Sequence, residues 1–244
     1  MTEEFKRTGL ILGAQALEKL KGSRVCVFGV GGVGSYVVEA LARSGVGSID
    51  VVDNDEVATS NINRQIIALH STVGMAKVDV AKDRILDINP ECEVRVHKCF
   101  YLPETASEFE FDKYDYVVDA IDTVAAKIDI IMRCTELGTR VISSMGTGNK
   151  LDPTRIKVTD IYKTEGDPLA RVMRRELKKR GVKKLKVVYS SEAPLTPDPE
   201  MMAQEMAELE KSGSSRRSVP GSVAFVPSVA GLVIASEVVK DLIK

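Results

Sequence analysis

Gly29-Val-Gly31-Gly32-Val-Gly34 is the first place in this chain where residue type and spacing suggest chemistry. It follows a β-branched run and opens a stretch with helical periodicity. In that setting a glycine-rich turn lets the backbone approach a phosphate, and the helix N-terminus offers it free N–H groups. Asp53 ends the next β-branched run, where a carboxylate can hold ribose hydroxyls. These residues alone indicate a nucleotide, with a dinucleotide as the default reading. The residues that follow point to a triphosphate instead. Asp55, then Asn61-Ile-Asn63-Arg64-Gln65, then Lys77, then Asp119-Ala-Ile-Asp122 all fall near predicted strand ends or the loops after them. In an open α/β sheet those positions line the ligand crevice. Arg64, Lys77 and Asp122 can therefore gather over whatever the glycine loop holds. Two cations neutralising phosphate charge and one carboxylate for Mg²⁺ suit ATP better than a nicotinamide cofactor.

The elements that must position these residues alternate. Arg24–Phe28 and Ser48–Asp53 read as strands, with a helix over 33–44 between them. Val78, Ala81, Ile85 and Ile88 have helical spacing within 74–89, and Pro90 closes the stretch. A third strand is expected over 93–97, a fourth over 114–119, a helix over 124–137 ending at Gly138, and a strand over 140–144. Alternation of this kind predicts an α/β, Rossmann-like, mostly parallel sheet with helices on both faces. Beyond about residue 150 the pattern loosens. Strands are expected over 155–161 and 185–189, a basic helix over 168–180, and a buried terminal helix over 227–243. The span 192–220, rich in Pro, Ser, Met and Glu, reads as a long mobile loop with a helical stretch near 200–211. No flexible linker separates the two parts. The 244 residues are read as one domain, with a nucleotide-binding half (1–149) and a half for substrate binding and dimerisation (150–244).

Composition excludes several classes. At 44% hydrophobic residues the chain is too apolar to be disordered throughout. No segment has the length of uncharged apolar residues that a membrane helix needs, and the start lacks a signal-peptide core, so a cytoplasmic protein is expected. The four cysteines form no C-x-x-C pair, which argues against a zinc ribbon or a disulfide framework. Cys26 and Cys134 fall within predicted elements. Cys92 and Cys99 flank the third strand, where they are expected to lie far from the crevice. No cysteine is thus placed for a covalent thioester step. The net charge is −1, so nucleic-acid binding would need a local patch. One exists: Arg171, Arg174, Arg175, Lys178, Lys179, Arg180, Lys183, Lys184 and Lys186 fall within sixteen positions, offset by Glu176 alone. Arg216 and Arg217 add to it. So one-sided a run suits phosphate neutralisation.

Five motifs in order, Gly29-x-Gly31-Gly32-x-Gly34, Asp53-x-Asp55, Asn63-Arg64-Gln65, Val73-Gly74-x-x-Lys77 and Asp119-x-x-Asp122, resemble the adenylation site of the ubiquitin-activating superfamily. That group includes the bacterial activators of sulfur-carrier proteins. The resemblance implies that a carboxylate is activated with ATP, giving an acyl-adenylate and pyrophosphate. It implies that Asp53 holds the ribose, Arg64 and Lys77 contact the phosphates, Asp122 binds Mg²⁺, and Asn61 and Gln65 support the site. In several members an arginine from the other subunit's N-terminal segment reaches the phosphates, and Arg7 is the candidate here. Further stretches are similar to one branch, the tRNA threonylcarbamoyladenosine dehydratases: Thr8-Gly-Leu-Ile-Leu-Gly13, Ile88-Asn-Pro-Glu91, Asp119-Ala-Ile-Asp-Thr123, Leu151-Asp-Pro-Thr154 and Asp167-Pro-Leu-Ala170. The branch implies a homodimer. Its substrate is tRNA carrying threonylcarbamoyladenosine, whose adenylated carboxylate is closed into a ring by the urea of the same molecule. The basic run would hold the tRNA. Competing readings are an activator of a small carrier protein ending in Gly-Gly, a nucleotide-gated RNA-binding module without catalysis and, last, an NAD dehydrogenase.

Overall fold

The computed structural model describes residues 3–211 and 220–244; Arg216 and Arg217 fall outside them. In chain order the elements are α1 (Lys6–Leu12), α2 (Ala14–Lys21), β1 (Arg24–Phe28), α3 (Gly34–Arg43), β2 (Ser48–Val52), α4 (Lys77–Ile88), β3 (Glu93–His97), β4 (Tyr116–Asp119) and α5 (Val124–Leu137). The second half adds β5 (Val141–Ser144), β6 (Ile156–Asp160), α6 (Pro168–Lys179), β7 (Lys186–Ser190), α7 (Pro199–Lys211) and α8 (Phe225–Leu242). The strands form one sheet in the order β3-β2-β1-β4-β5-β7-β6. All neighbours are parallel except β6 with β7, where Ile156 faces Ser190. The α/β class and mostly parallel sheet expected above are what the chain adopts.

Strand order reverses between β1 and β4, because β2 lies on one side of β1 and β5 on the far side of β4. This is the switch point at which open α/β sheets form their ligand crevice. The central strands are buried on both faces, so they read as continuous apolar runs and not as alternating ones. One face packs Val25, Val27 and Val118 against α3, α4 and α8. The other packs Cys26, Phe28 and Val117 against an aromatic cluster of Tyr101, Phe109, Phe111 and Tyr114. A third cluster joins α5, α6 and β7 through Ile131, Met173, Leu177 and Val187.

Two departures from the sequence reading bear on the site. First, α4 begins at Lys77 and not at Gly74. Gly74 takes φ +85°, and Ala76 bridges Glu56 in extended conformation, so the helix starts only where the Lys77 amide bonds the Asp55 carbonyl. Second, two N-terminal helices appear that the periodicity did not suggest. The apolar C-terminal segment, by contrast, forms the buried terminal helix expected over 227–243. Val226, Ala230, Ile234, Ala235, Val238 and Leu242 are buried in the core, leaving Phe225 and Leu232 as its large exposed residues. The most exposed apolar pair is instead Leu10 (86%) and Ile11 (85%) on α1.

Candidate active site

A cleft of about 660 Å³ opens at the switch point. Gly29, Gly31, Gly32, Asp53, Asp55, Asn61, Arg64, Gln65, Lys77 and Asp122 all line it. Its size falls within the range of small-molecule sites. The glycine loop is shaped by close approach. A Cβ on Gly34 would sit 1.8 Å from the Gly29 carbonyl oxygen, and one on Gly29 would sit 2.7 Å from that of Ala120. Gly34 therefore shapes the turn from below and is not among the lining residues.

Asp53 ties the loop to the second strand. Its Oδ2 accepts from the Val30 amide (2.7 Å) and its Oδ1 from the Asp55 amide (2.9 Å). The Lys77 side chain is almost wholly buried. Its Nζ lies 2.7 Å from Asp55 Oδ2 and 3.9 Å from Asp53 Oδ1, so two carboxylates hold an ammonium at the start of α4 and aim it at the cleft. Arg64 donates to the Ser60 carbonyl and to Asn63 Oδ1, both at 2.9 Å. Asn63 does not line the cleft; its amide donates to the Ser222 carbonyl (3.0 Å) and so joins Arg64 to the strap Pro220–Ser222. Asp122 is exposed and forms no ion pair among the described residues. Gln65 Oε1 is buried at the cleft with no hydrogen-bond partner in the described structure. Arg7 is exposed on α1 and does not reach this chain's own cleft.

Sequence reasoning missed the rest of the wall. Cys99, Phe100 and Tyr101 line the cleft, so Cys99 is not distant from it as expected: the chain leaving β3 turns toward the crevice. All four thiols are nonetheless pushed up, which leaves none as a ready nucleophile. Burial and Glu108 raise Cys99, burial and Asp50 raise Cys26, burial lifts Cys92 to about 11, and burial with Asp119 lifts Cys134 to about 12. The loop Ser144–Gly148 after β5 forms the far end, with Leu169, Pro220 and Ser222. Two buried lysines underlie that loop. Lys127 Nζ pairs with Asp119 Oδ2 (2.9 Å) and donates to the Ser144 carbonyl (2.8 Å). Lys150 Nζ pairs with Asp167 Oδ2 and donates to the Gly146 carbonyl (2.8 and 2.9 Å). A glycine-bearing loop at a parallel strand's C-terminus was the available signal for this end; the lysines look like surface charges in sequence.

The basic run lies on α6 and the turn after it. Asp167 caps the helix by accepting from the Ala170 amide (2.7 Å), which puts Leu169 at the cleft rim and sends the cations away from it. Glu176 pairs with Arg175, Lys179 and Arg180, and these three hydrogen bonds hold its carboxyl down at about 2. Arg174 is spent on Thr164, and Lys186 pairs with Glu237 and Asp241. Arg171, Lys178, Lys183 and Lys184 are exposed and carry no ion pair among the described residues.

Residues 5–244 match the model of the ThiF family. The chain belongs to the ThiF family. Within that family it is 49% identical to the tRNA threonylcarbamoyladenosine dehydratase of Bacillus subtilis, over all of this chain and 96% of that protein. It is 38% identical to the Escherichia coli dehydratase, over 98% of this chain and 93% of that one. The crystal structure of the E. coli enzyme in complex with ATP superimposes with a TM-score of 0.86 at 37% identity, covering 98% of this chain and 93% of that one. Its complex with AMP gives 0.87 at 36% identity, covering 98% and 94%. The ThiF-family cleft thus stands on a fold that holds ATP in a relative of nearly the same length.

Proposed function

We propose that this protein is an ATP-dependent tRNA threonylcarbamoyladenosine dehydratase. One observation carries the reading: the glycine loop, the buried Lys77 ammonium, Arg64 and the exposed Asp122 carboxylate share a single cleft at the switch point. The threonyl carboxylate of the modified adenosine attacks the α-phosphorus of ATP, and pyrophosphate leaves. Arg64 and Lys77 offset charge on the phosphoryl oxygens, and Asp53 and Asp55 fix the ribose side and the ammonium. The urea then closes on the acyl carbon and AMP departs, with the overall loss of one water. That second step is intramolecular, so holding the two groups together supplies much of its rate and no protein nucleophile is needed.

Mg²⁺ fits this site as a companion of the nucleotide and not as a caged resident. The described residues hold no cluster of three or more metal-ligating side chains, whereas one free carboxylate plus phosphates is how Mg²⁺ commonly binds. Asp122 would hold it, and it would supply charge neutralisation there. Gln65 lines the same cleft, and its Oε1 is a buried acceptor with no partner in the described structure, a group that would favour a bound donor nearby. Asn61 supports the same wall.

Arg171, Lys178, Lys183 and Lys184 offer uncommitted charge to tRNA phosphates, with Arg174, Arg175 and Lys179 behind them. A homodimer burying Leu10 and Ile11 would bring the N-terminal helices, and Arg7 with them, to a partner's cleft. No described helix is long and apolar enough to cross a membrane; with tRNA as the substrate, we infer that the protein works in the cytoplasm. The test is incubation with ATP, Mg²⁺ and tRNA bearing threonylcarbamoyladenosine, followed by mass analysis of the nucleosides. The modified nucleoside should lose the mass of one water; an unchanged mass would overturn the assignment.

A further inference from the structure

The far end of the cleft presents a peptide group whose N–H has no acceptor among the described residues. The Gly146 carbonyl accepts from Lys150 Nζ at 2.9 Å, and that ammonium is itself buried against Asp167 (2.8 Å) and the Ser190 carbonyl (3.2 Å). Every peptide in the described chain is trans. A trans peptide points its N–H opposite to its C=O, so the Thr147 N–H is turned away from the buried lysine; Gly146, Thr147 and Gly148 line the cleft, whereas Lys150 and Asp167 do not. The peptide two positions earlier, Ser144–Met145, follows the same logic. The Ser144 carbonyl is held by Lys127, and the Met145 N–H opposite to it bonds the Val188 carbonyl across the sheet at 2.8 Å. One ammonium-held peptide spends its N–H on the fold. The other has no acceptor among the described residues.

Packing fixes the backbone on both sides of that N–H. A Cβ on Gly148 would meet Pro220 Cβ at 2.7 Å, and one on Gly146 would meet Asp167 Oδ2 at 3.1 Å, so glycine at each position lets the protein close tightly around this loop. A cation on the carbonyl end of a peptide polarises it and strengthens its N–H as a donor.

We propose that the Thr147 N–H is a catalytic group, the oxyanion donor for ring closure. This rests on the dehydratase reading above. In that step a bond forms between the urea and the acyl carbon, a urea N–H proton passes to solvent, and the carbonyl π pair moves onto oxygen. On collapse the bond from carbon to the AMP oxygen breaks, and AMP leaves with the electron pair. The negative oxygen between those events is what a fixed N–H stabilises, more than it stabilises the starting carbonyl. Lys150 acts through the peptide as a positioning residue.

The experiment separates the two chemical steps. Thr147 is replaced by its α-hydroxy acid, which converts the amide to an ester and removes the N–H while leaving side chain and buried pair in place. ATP–pyrophosphate exchange driven by threonylcarbamoyl tRNA reads adenylation. Dehydrated nucleoside and hydroxylamine-trapped acyl-adenylate read ring closure. The ester form should exchange within about threefold of the parent, close the ring about a hundredfold more slowly, and accumulate trapped adenylate. Thr147→Ala, which keeps the N–H but removes the side chain, should slow ring closure far less than the ester form does. Lys150→Met with Asp167→Asn, a pair that leaves no lone buried charge and retains the helix cap, should repeat the ester's pattern more weakly. Equal loss in both steps, no loss in the ester form, or a loss in Thr147→Ala matching it would overturn the proposal. If the parent protein itself shows no exchange with threonylcarbamoyl tRNA, it is the dehydratase reading that fails; if the parent turns over and the ester matches it, only the amide's role fails.

Discussion

At the glycine-loop end of the cleft, charged side chains face the cavity: Arg64, Lys77 and Asp122 all line it. At the far end the charges are underneath. Lys127 and Lys150 are buried with their aspartates, and uncharged residues 144–148 line the cavity. The first end acts by charge set directly on the ligand, the second by peptide geometry that buried charges enforce. Removing one partner of a buried pair leaves an uncompensated charge and costs about 3–5 kcal/mol, so single changes beneath the far end mix folding with function. At the near end Lys77 shares that mixing, because it too is buried in an ion pair, whereas the exposed Asp122 reads the chemistry more cleanly.

The sharpest break in this comparison is Lys77→Ala. If the near end works by direct charge, ATP–pyrophosphate exchange driven by modified tRNA should fall by about a thousandfold. Full exchange in the variant would refute the role of that ammonium. Asp122→Asn comes next. Exchange should drop by about a hundredfold, and the Mg²⁺ concentration for half-maximal exchange should rise, because the group assigned to the ion loses its charge. A Mg²⁺ titration that superimposes on the parent's would remove Asp122 from the metal role.

How far each end was legible in the sequence follows from the same difference. Near-end residues lie in the segments that leave the C-terminal ends of β1, β2 and β4, with Lys77 at the first residue of α4. The spacing of Gly29 to Gly34, Asp53, Lys77 and Asp122 therefore reports their place in space. The far end is assembled from Gly146, Asp167, Ser190 and Pro220, which no single motif spans, and its buried lysines are chemically indistinguishable in sequence from solvated ones. Asn63 shows the limit within a motif. Its neighbours line the cleft, but its own amide turns to Ser222, a contact 159 residues away that local spacing does not encode. The basic run was visible as composition, but its split into paired and uncommitted cations depends on which helical neighbours reach Glu176.

That split gives a smaller and graded prediction. Reversing Arg171, Lys178, Lys183 and Lys184 together should raise KM for tRNA about tenfold at moderate salt and flatten its salt dependence, with nucleotide affinity unchanged. Reversing Arg175, Lys179 and Arg180, already neutralised in part by Glu176, should do less. The opposite ranking would show that the pairs on α6 open when tRNA binds.

The smallest effect is expected where the second half is fastened to the first. Asp241 on α8 accepts from Tyr116 on β4 (2.9 Å) and pairs with Lys186 on β7 and with Lys244. Burial would raise its carboxyl, but the hydrogen bonds from Lys186, Lys244 and Tyr116 outweigh that and hold it at about 2. A carboxyl lowered by folding stabilises the native state fully above its unfolded value and loses that contribution as pH falls through the folded one. Discounted for partial exposure, the contribution is about 1 kcal/mol. Asp241→Asn should lower the urea-unfolding free energy by that amount at neutral pH, and the gap from the parent should close as pH falls toward about 2. Neither adenylation nor ring closure should change, because this tie is remote from the cleft. If ring closure alone slowed, the geometry of the far end would depend on how firmly α8 is fastened, and the contrast between its two ends would extend through the core.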